Sequence, residues 1–302
     1  MTFAAFGTAI ASPVAFPELR PSRARAEWTL LVSPPAPLPR EGGWARTWRI
    51  GGAPWLSAKP VPSGWRLRFH RTAVFDVDPR ARTIAARPAP GVGPALLRHL
   101  VLDQVLPRAL HTPHGPVLHA SAVVLPAGIA AFTGRAGTGK STLAAAFART
   151  GRRLFADDAL RLLPAAGAYL AQPGYPGLRL GGDSLSLLDR NGPQVTEGHW
   201  KRRIVPPWAT RPAPLVAVYV LERGRRIAIE PLAGSSAVVA LFRACLRLGD
   251  GHADVAAEFE GAVLLARAVP VRTLRVPRGL ELLPEVVAAA ERDVRERARA
   301  VE

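Results

Sequence analysis

Short runs of alternating apolar and polar residues fill the first ninety positions of the chain, and clusters of Pro and Gly separate them. An alternation of period two is typical of half-buried strands, and such clusters are typical of turns. The pattern predicts strands at Trp28–Val32, Trp65–Phe69, Ala73–Val77 and Ala81–Ala85. We therefore predict a small, antiparallel, β-rich N-terminal unit over residues 1–90.

From residue 91 onward the pattern mixes helical and strand periods. An apolar stripe predicts a helix over residues 92–110, and Val271–Val276 is a predicted strand. Further helices are predicted near 235–248, 253–267 and 284–300, and a hairpin is predicted from Val216–Leu221 and Arg226–Glu230, turning at Arg223 and Gly224. This mixture predicts an α/β domain over residues 91–302.

A complete phosphate-binding loop of the form G-x-x-x-x-G-K-[ST] stands at residues 134–142, between a predicted strand at Gly128–Thr133 and a predicted helix at Ser141–Thr150. In such a loop, backbone N–H groups surround phosphate oxygens, the lysine contacts the terminal phosphates, and the following hydroxyl is a ligand for Mg²⁺. The positive end of the helix dipole favours the same anion. We therefore expect ATP and Mg²⁺ to be bound by Gly134, Arg135, Ala136, Gly137, Thr138, Gly139, Lys140, Ser141 and Thr142.

The segment before the loop brings a histidine to the same place. Residues His119–Leu125 have the pattern of a strand, and the turn around Ala127 leads straight into the strand before the loop. Two strands joined in this way form an antiparallel hairpin. We therefore expect His119 opposite Gly134, beside the phosphates. Taken alone, His119 would be a hydrogen-bonded structural residue.

The segment after the loop brings two carboxylates. Residues Arg152–Ala156 predict a short strand that ends at Asp157 and Asp158. A strand–helix–strand crossover joins parallel strands, whose ends then meet at one edge of the sheet. There one carboxylate would hold Mg²⁺ with Ser141, and the other would accept the proton of an attacking hydroxyl. The alternative for an Asp pair is a turn or a helix cap. The candidate catalytic residues are His119, Lys140, Asp157 and Asp158, and the candidate metal ligands are Ser141, Asp157 and Asp158.

Composition excludes several classes of protein. The net charge is +17, but only three of the 40 basic residues are Lys and the Arg residues are spread along the chain, so a nucleic-acid partner is disfavoured. The single cysteine, Cys245, excludes an internal disulfide and fits a reducing compartment. We expect no membrane span, because no apolar run is long enough. We also expect no signal peptide and a cytoplasmic location, and a homo-oligomer is left open.

Three segments together resemble the kinase domain of HPr kinase/phosphorylase. They are Leu118–Val123, Gly134–Ser141 and Leu154–Asp158. That family has a histidine before the strand pair, a phosphate loop, and Ala-Asp-Asp at the end of the next strand. The resemblance covers about residues 99–205. It implies a P-loop kinase core with a mixed sheet, related to phosphoenolpyruvate carboxykinase, and transfer of the γ-phosphoryl group of ATP to a protein serine.

The resemblance also implies roles for individual residues. Asp157 and Asp158 would be the metal and base carboxylates with His119 as their neighbour, and Ser141 would meet the metal. Two segments depart from the parent family, namely Pro173–Leu180 and Trp200–Ile204. They look more like the HPr-kinase-related proteins of lasso-peptide and other peptide-tailoring systems, some of which phosphorylate a serine of a precursor peptide.

A short basic run at Lys201, Arg202 and Arg203 has two readings. It is either a solvated loop or a loop that closes on the γ-phosphate or on an acidic peptide. Tyr175, Arg179 and Asp183 are weaker candidates for lining the acceptor path. The sequence thus predicts an ATP- and Mg²⁺-dependent kinase for a Ser or Thr hydroxyl of a protein or precursor peptide. The alternative is a P-loop ATPase or nucleotide-sensing regulatory module without phosphotransfer.

Overall fold

The chain divides into two units. The computed structural model describes residues 1–181, 184–185, 194–195, 201–249 and 252–300. One unit consists of Met1–His111 with Arg247–Ala257, and the other of Thr112–Leu246 with Glu258–Glu302. The domain division at residue 90 stays a prediction, and the helical segment that follows it groups with the first unit. Within the described residues, no helix combines the length and the apolar character needed to cross a bilayer.

The first unit contains a nine-stranded sheet in the order β3-β1-β2-β4-β9-β8-β7-β6-β5. Its strands are β1 (Thr2–Ala5), β2 (Thr8–Ala11), β3 (Arg20–Pro21), β4 (Trp28–Val32), β5 (Arg46–Ile50), β6 (Ala53–Val61), β7 (Gly64–Phe69), β8 (Ala73–Asp78) and β9 (Thr83–Pro88). Residues that alternate along the central strands, such as Leu67, Phe69, Phe75 and Val77, are buried, as the period-two pattern requires.

The prediction of a small antiparallel unit is wrong in one respect. Strand β4 runs parallel to both of its neighbours, β2 and β9, whereas the other pairings in the sheet are antiparallel. Parallel neighbours need long connections, and residues 12–27 and 33–82 supply them. Apolar alternation identifies a strand but not the direction of its neighbours, so the sequence pattern could not reveal this insertion.

The predicted helix over residues 92–110 is interrupted. It consists of α1 (Pro94–Leu100), a π-helical turn (Val101–Val105) and α2 (Leu106–Leu110). Pro107 lies in the first turn of α2, where its missing N–H removes one helical hydrogen-bond donor. The wider π-helical turn directly precedes this proline-containing segment.

The second unit has an α/β architecture with mixed sheets, as expected. Its elements and those that continue the chain are β10 (Val117–Leu118), β11 (Ser121–Leu125), β12 (Gly128–Thr133), α3 (Lys140–Arg149), β13 (Leu154–Ala156), β14 (Leu160–Ala165), β15 (Ala168–Gln172), β16 (Leu178–Gly181), β17 (Gln194–Val195), β18 (Lys201–Ile204), β19 (Ala213–Arg223), β20 (Ala228–Pro231), α4 (Gly234–Ala244), α5 (His252–Ala268), β21 (Val271–Val276) and α6 (Leu283–Arg299).

Strand β12, which leads into the phosphate loop, lies inside the main sheet of this unit. The sheet has the order β10-β14-β15-β19-β12-β11-β13, and β21 also pairs with β19. Strands β11 and β12 form the expected antiparallel hairpin, with Leu125 opposite Gly128. Strand β13 runs in the same direction as β12, as the crossover predicted, but β11 separates the two because it pairs with both. Both β12 and β13 therefore end at the same edge of the sheet.

One predicted strand arrangement in this unit is wrong, and one predicted strand begins later than expected. The late hairpin does not form, because β21 pairs with both β19 and β20 and so lies between them. The spacing of two strands along the chain does not reveal a third strand that enters from farther away. The predicted strand over His119–Leu125 forms over Ser121–Leu125, which pairs with β12 and β13. The preceding strand, Val117–Leu118, pairs with β14 instead, and His119 lies between the two strands.

The second unit has an apolar cluster on each face of β12. Phe132 belongs to the cluster that includes α3 and α6, and its neighbour Ala131 belongs to the cluster that includes α4 and α5. In the first cluster the ring of Phe132 lies between those of Phe147 and Tyr219, with centroid distances of 5.3 and 5.6 Å. This column of stacked rings connects α3, the strand before the loop, and β19.

A buried polar network ties α6 to the middle of the sheet. The Tyr219 hydroxyl donates to Asp293 Oδ2 at 2.7 Å, and Arg297 Nε donates to the same oxygen at 3.1 Å. Arg272 Nε lies 2.9 Å from Asp293 Oδ1 as an ion pair, although it is not aligned for a hydrogen bond. Because the Asp293 carboxylate is buried, its negative charge would be costly without these hydrogen-bond and ion-pair partners.

We expect the network to contribute measurably to the stability of the second unit. Asp293→Ala should lower the free energy of unfolding in urea by about 3 kcal/mol, because it leaves two arginines without their carboxylate. Tyr219→Phe should cost about 1 kcal/mol, the contribution of one hydrogen bond. Glu296→Ala is the control on the exposed side of the same helix and should cost less than about 0.5 kcal/mol. Equal effects of the two carboxylate substitutions would contradict the role of the network.

Candidate functional site

The phosphate loop lies between β12 and α3 and depends on its glycines. Gly134 has φ of 140°, and a β-carbon at this position would lie 2.8 Å from the carbonyl oxygen of Leu221. Gly139 has φ of 100° and precedes the first residue of α3. Any residue with a side chain would be strained in the backbone conformation of either position. The backbone therefore turns tightly from the end of the strand into the beginning of the helix.

Lys140 is the first residue of α3, and its side chain folds back over the loop. The side chain is 7% exposed, and Nζ donates to the carbonyl oxygens of Gly134 at 3.1 Å and Arg135 at 3.5 Å. The ammonium group thus lies over the beginning of the loop. In phosphate loops this is the group that contacts the terminal phosphates.

The carboxylate of Asp157 connects three segments of the second unit. Its Oδ1 accepts hydrogen bonds from Ser121 Oγ at 2.6 Å and from Ser141 Oγ at 2.9 Å. Its Oδ2 accepts from the backbone N–H of Arg179 at 3.2 Å. The hairpin strand β11, the first turn of α3 and strand β16 therefore meet at this side chain, which follows β13 directly.

Burial, and after it the neighbouring charge of Asp158, raise the pKa of Asp157 to about 7, although the hydrogen bonds from Ser121, Arg179 and Ser141 act in the opposite direction. The group is 7% exposed, so its charged form lacks water. A buried carboxylate with a raised pKa beside a phosphate loop is typical of a functional site.

Asp158 and His119 form a second contact pair next to Asp157. Asp158 has φ of 62°, a left-handed conformation that Asp tolerates better than most residues. Its backbone carbonyl lies 2.9 Å from His119 Nδ1. Because a carbonyl oxygen only accepts hydrogen bonds, Nδ1 carries the proton in this contact, and Nε2 is the basic nitrogen of the neutral ring.

The backbone of His119 is fixed at the end of the hairpin. Its N–H donates to the carbonyl oxygen of Ala244 at 2.7 Å, and its own carbonyl accepts from Thr133 Oγ1 at 3.1 Å. The hairpin register ends with Ser121 opposite Phe132. The Thr133 contact puts the His119 backbone beside the last residue before the loop, and the predicted position of its imidazole beside the phosphates stays a prediction.

The basic run forms part of strand β18. This strand pairs with β16, with Arg203 opposite Arg179. The buried guanidinium of Arg203 lies 5.5 Å from the centre of the Tyr175 ring and donates to the carbonyl oxygen of Pro176, so its described contacts are structural. The side chains of Lys201 and Arg202, and Asp183, lie outside the described residues, so their predicted contacts stay predictions.

Several groups at the site were not predicted from the sequence. Ser121 follows His119 by two residues, the spacing that puts side chains on the same face of a strand, and this signal could have identified it. Thr133 is the last residue of the strand before the loop. The backbone N–H of Arg179 could not have been found, because it reaches Asp157 through the folding of a segment 22 residues away.

Two cavities flank the phosphate loop. The α6 cavity, of about 610 Å³, is lined by Thr138, Gly139, Thr142, Leu143 and the segment from Val276 to Leu283. The α4 cavity, of about 740 Å³, is lined by the loop residues Thr133, Gly134, Arg135 and Thr138, the end of β19 and one face of α4. Thr138, Leu221 and Arg223 line both cavities, so the middle of the loop separates them.

The donor groups at Asp157 fit a magnesium ion. Ser141 Oγ and Asp157 Oδ1 are both hard oxygen ligands and are already 2.9 Å apart. The buried Asp157 carboxylate receives only neutral donors in its described hydrogen bonds, so a cation there would offset the cost of its desolvated charge. Asp158 is the second acidic residue near this position.

No protein-family model matches the chain, and no curated protein matches it either. Among solved structures, the chain is similar to the Hpr(Ser) kinase/phosphatase from Coxiella burnetii. The identity is 14%, over 60% of this chain and 98% of that chain, and the TM-score is 0.32.

We expect the raised pKa of Asp157 to make stability depend on pH. The folded protein keeps this proton up to about pH 7, whereas the unfolded chain loses it near the ordinary value of 3.8. The folded state therefore binds more protons in this window, and the contribution of Asp157 to stability falls as the pH rises through it. Asp157→Asn should remove this fall, so its melting temperature relative to the wild type should increase from pH 5 to pH 8.

The control for this measurement is Asp254→Asn, which removes an exposed carboxylate. Its melting temperature relative to the wild type should change little between the two pH values. If Asp157→Asn behaves like this control, burial does not raise the pKa of Asp157.

Proposed function

We propose that this protein is a kinase that uses ATP and Mg²⁺ to phosphorylate a Ser or Thr hydroxyl of a protein or peptide. One observation carries the proposal. The hydroxyl of Ser141, in the phosphate loop, bonds at 2.9 Å to the buried carboxylate of Asp157, which directly follows strand β13. A phosphate loop, a metal-type oxygen pair and a second carboxylate in one place are what phosphoryl transfer requires.

Different residues of the chain have different roles in the proposed reaction. Lys140 and the backbone N–H groups of the loop bind the phosphates, and Asp158 accepts the proton of the acceptor hydroxyl. The hydroxyl oxygen forms a bond to the γ-phosphorus, and the bond from that phosphorus to the β–γ bridging oxygen breaks. The electron pair of the broken bond stays with ADP. Bound Mg²⁺, held by Ser141 and Asp157 with Asp158 nearby, would neutralise phosphate charge.

His119 acts on Asp158 and on the start of the loop. Its Nδ1–H donates to the backbone carbonyl of Asp158, and this bond holds residue 158 in its left-handed conformation. The imidazole also lies beside the phosphates if Lys140 marks their terminal end. His119 therefore positions the base and adds a polar group to the site.

The nucleoside would occupy the α6 cavity. This cavity reaches Thr142 and Leu143 in the first turns of α3, away from the beginning of the loop where the Lys140 ammonium lies. Its volume of about 610 Å³ falls in the range of small-molecule sites. Bound in this direction, the triphosphate would present its terminal phosphate to Gly134, Asp158 and His119.

We expect Lys140→Ala to weaken ATP binding at least about 100-fold, because a charge-assisted contact to the phosphates is lost in a partly buried position. Isothermal titration calorimetry with ATP and Mg²⁺ measures this directly. Lys59→Ala, in the first unit, is the matched control and should bind like the wild type. Equal affinity in Lys140→Ala would contradict binding at the loop.

We expect Asp158→Asn to keep ATP affinity and to lower phosphotransfer at least about 100-fold, the usual contribution of a general base. Asn tolerates the same left-handed conformation, so the backbone should be preserved.

Transfer is measured with γ-labelled ATP and a library of Ser- and Thr-containing peptides. Label on peptide supports the kinase, release of free phosphate alone would indicate an ATPase, and intact bound nucleotide would indicate a sensor. Equal losses of binding and transfer would contradict the role of Asp158 as base.

A further inference from the structure

The α4 cavity borders the reactive end of the site, as four contacts indicate. The Lys140 ammonium donates to the carbonyls of Gly134 and Arg135, both of which line this cavity. The backbone of His119 is bonded to Thr133 and Ala244, which line it as well. A group bound in the α4 cavity therefore lies next to the position proposed for the terminal phosphate.

One face of α4 is turned toward this cavity. Ser236, Val239, Ala240 and Arg243 line it at spacings of three and four residues, which places them on one side of the helix. Leu241, on the opposite side, is buried in the core. Hydroxyl, apolar and cationic groups thus follow one another along a single wall, an arrangement that suits an extended segment with mixed side chains.

The lining of the α4 cavity is positively charged. It carries the guanidinium groups of Arg135, Arg223 and Arg243 against one carboxylate, that of Glu222. Glu222 lies 3.8 Å from Arg275 Nε, so part of its charge is already offset. The cavity therefore attracts negatively charged groups.

We propose that the α4 cavity binds the acceptor as a short acidic peptide segment, whose Ser or Thr hydroxyl lies at the end near His119 and Asp158. This inference rests on the proposed kinase function. The volume of about 740 Å³ admits a few residues but not a folded domain, so the acceptor enters as an extended or flexible segment. The three arginines select acidic side chains next to the hydroxyl, and Val239 and Ala240 offer an apolar contact between them.

The test uses three sets of Ser-containing peptides that differ only in acidic, neutral or basic residues around the serine. Binding is measured by fluorescence anisotropy with a non-hydrolysable ATP analogue, and transfer is measured with γ-labelled ATP. The wild type should favour acidic over basic peptides by at least about tenfold in both measurements, as expected for short-range charge attraction.

Arg243→Glu should weaken acidic-peptide binding about tenfold and improve binding of the basic set, because an attractive charge becomes repulsive. Its ATP affinity should be unchanged. Arg292→Glu, on the exposed side of α6, makes the same charge change away from both cavities and should behave like the wild type. If the two variants behave alike, or if the peptide sets bind equally, the α4 cavity is not the acceptor site.

The two proposals fail in different ways. Acidic peptides that bind in an Arg243-dependent manner but receive no label would refute the kinase and keep the α4 cavity as a peptide site. Label on peptides without any dependence on Arg243 would keep the kinase and refute the cavity. Binding of an acidic small molecule, such as citrate, as tightly as the peptides would refute selection of a peptide.

Discussion

The arrangement of the candidate site depends on the hydrogen bonds that the buried carboxylate of Asp157 accepts. A charged or polar group in this position is costly unless it receives hydrogen bonds, and here Ser121, Ser141 and the Arg179 N–H supply them. Each donor comes from a different segment of the second unit. The need to satisfy one side chain therefore holds the hairpin, the first turn of α3 and strand β16 against the end of β13. Displacement of β16 would remove the described donor to Oδ2, and displacement of either of the other two segments would leave Oδ1 with one hydroxyl donor instead of two.

The position of the loop is set by the sheet beneath it. Strand β12 ends at Thr133. The ring of the preceding residue, Phe132, is stacked on the rings of Phe147 in α3 and Tyr219 in β19. Tyr219 in turn bonds to Asp293 of α6. Rigid packing and a buried polar network thus fix both ends of the loop, so its glycines adopt their unusual conformations against a firm support.

The loop also divides the space around it into two chemically different halves. The α6 cavity adjoins the first turns of α3, and the α4 cavity adjoins the lysine ammonium and His119. A phosphoryl transfer needs a donor and an acceptor that meet at one phosphorus atom. The two cavities share Thr138, Leu221 and Arg223. In the function that we propose, the α6 cavity receives the nucleotide, and the α4 cavity, with its arginine lining, receives the acceptor.

The sequence by itself determined the local features of this protein. The phosphate loop, its flanking strand and helix, the hairpin at Ala127 and several of the strands follow from spacing and turn chemistry, which act over a few residues. Only the tertiary structure decided that β4 runs parallel to its neighbours, that β21 separates β19 from β20, and that β11 separates β12 from β13. It also decided that Ser121 and Arg179 bond to Asp157 and that the α4 cavity is cationic. These features depend on which distant segments share a neighbour in space, and an apolar pattern specifies burial without specifying the partner.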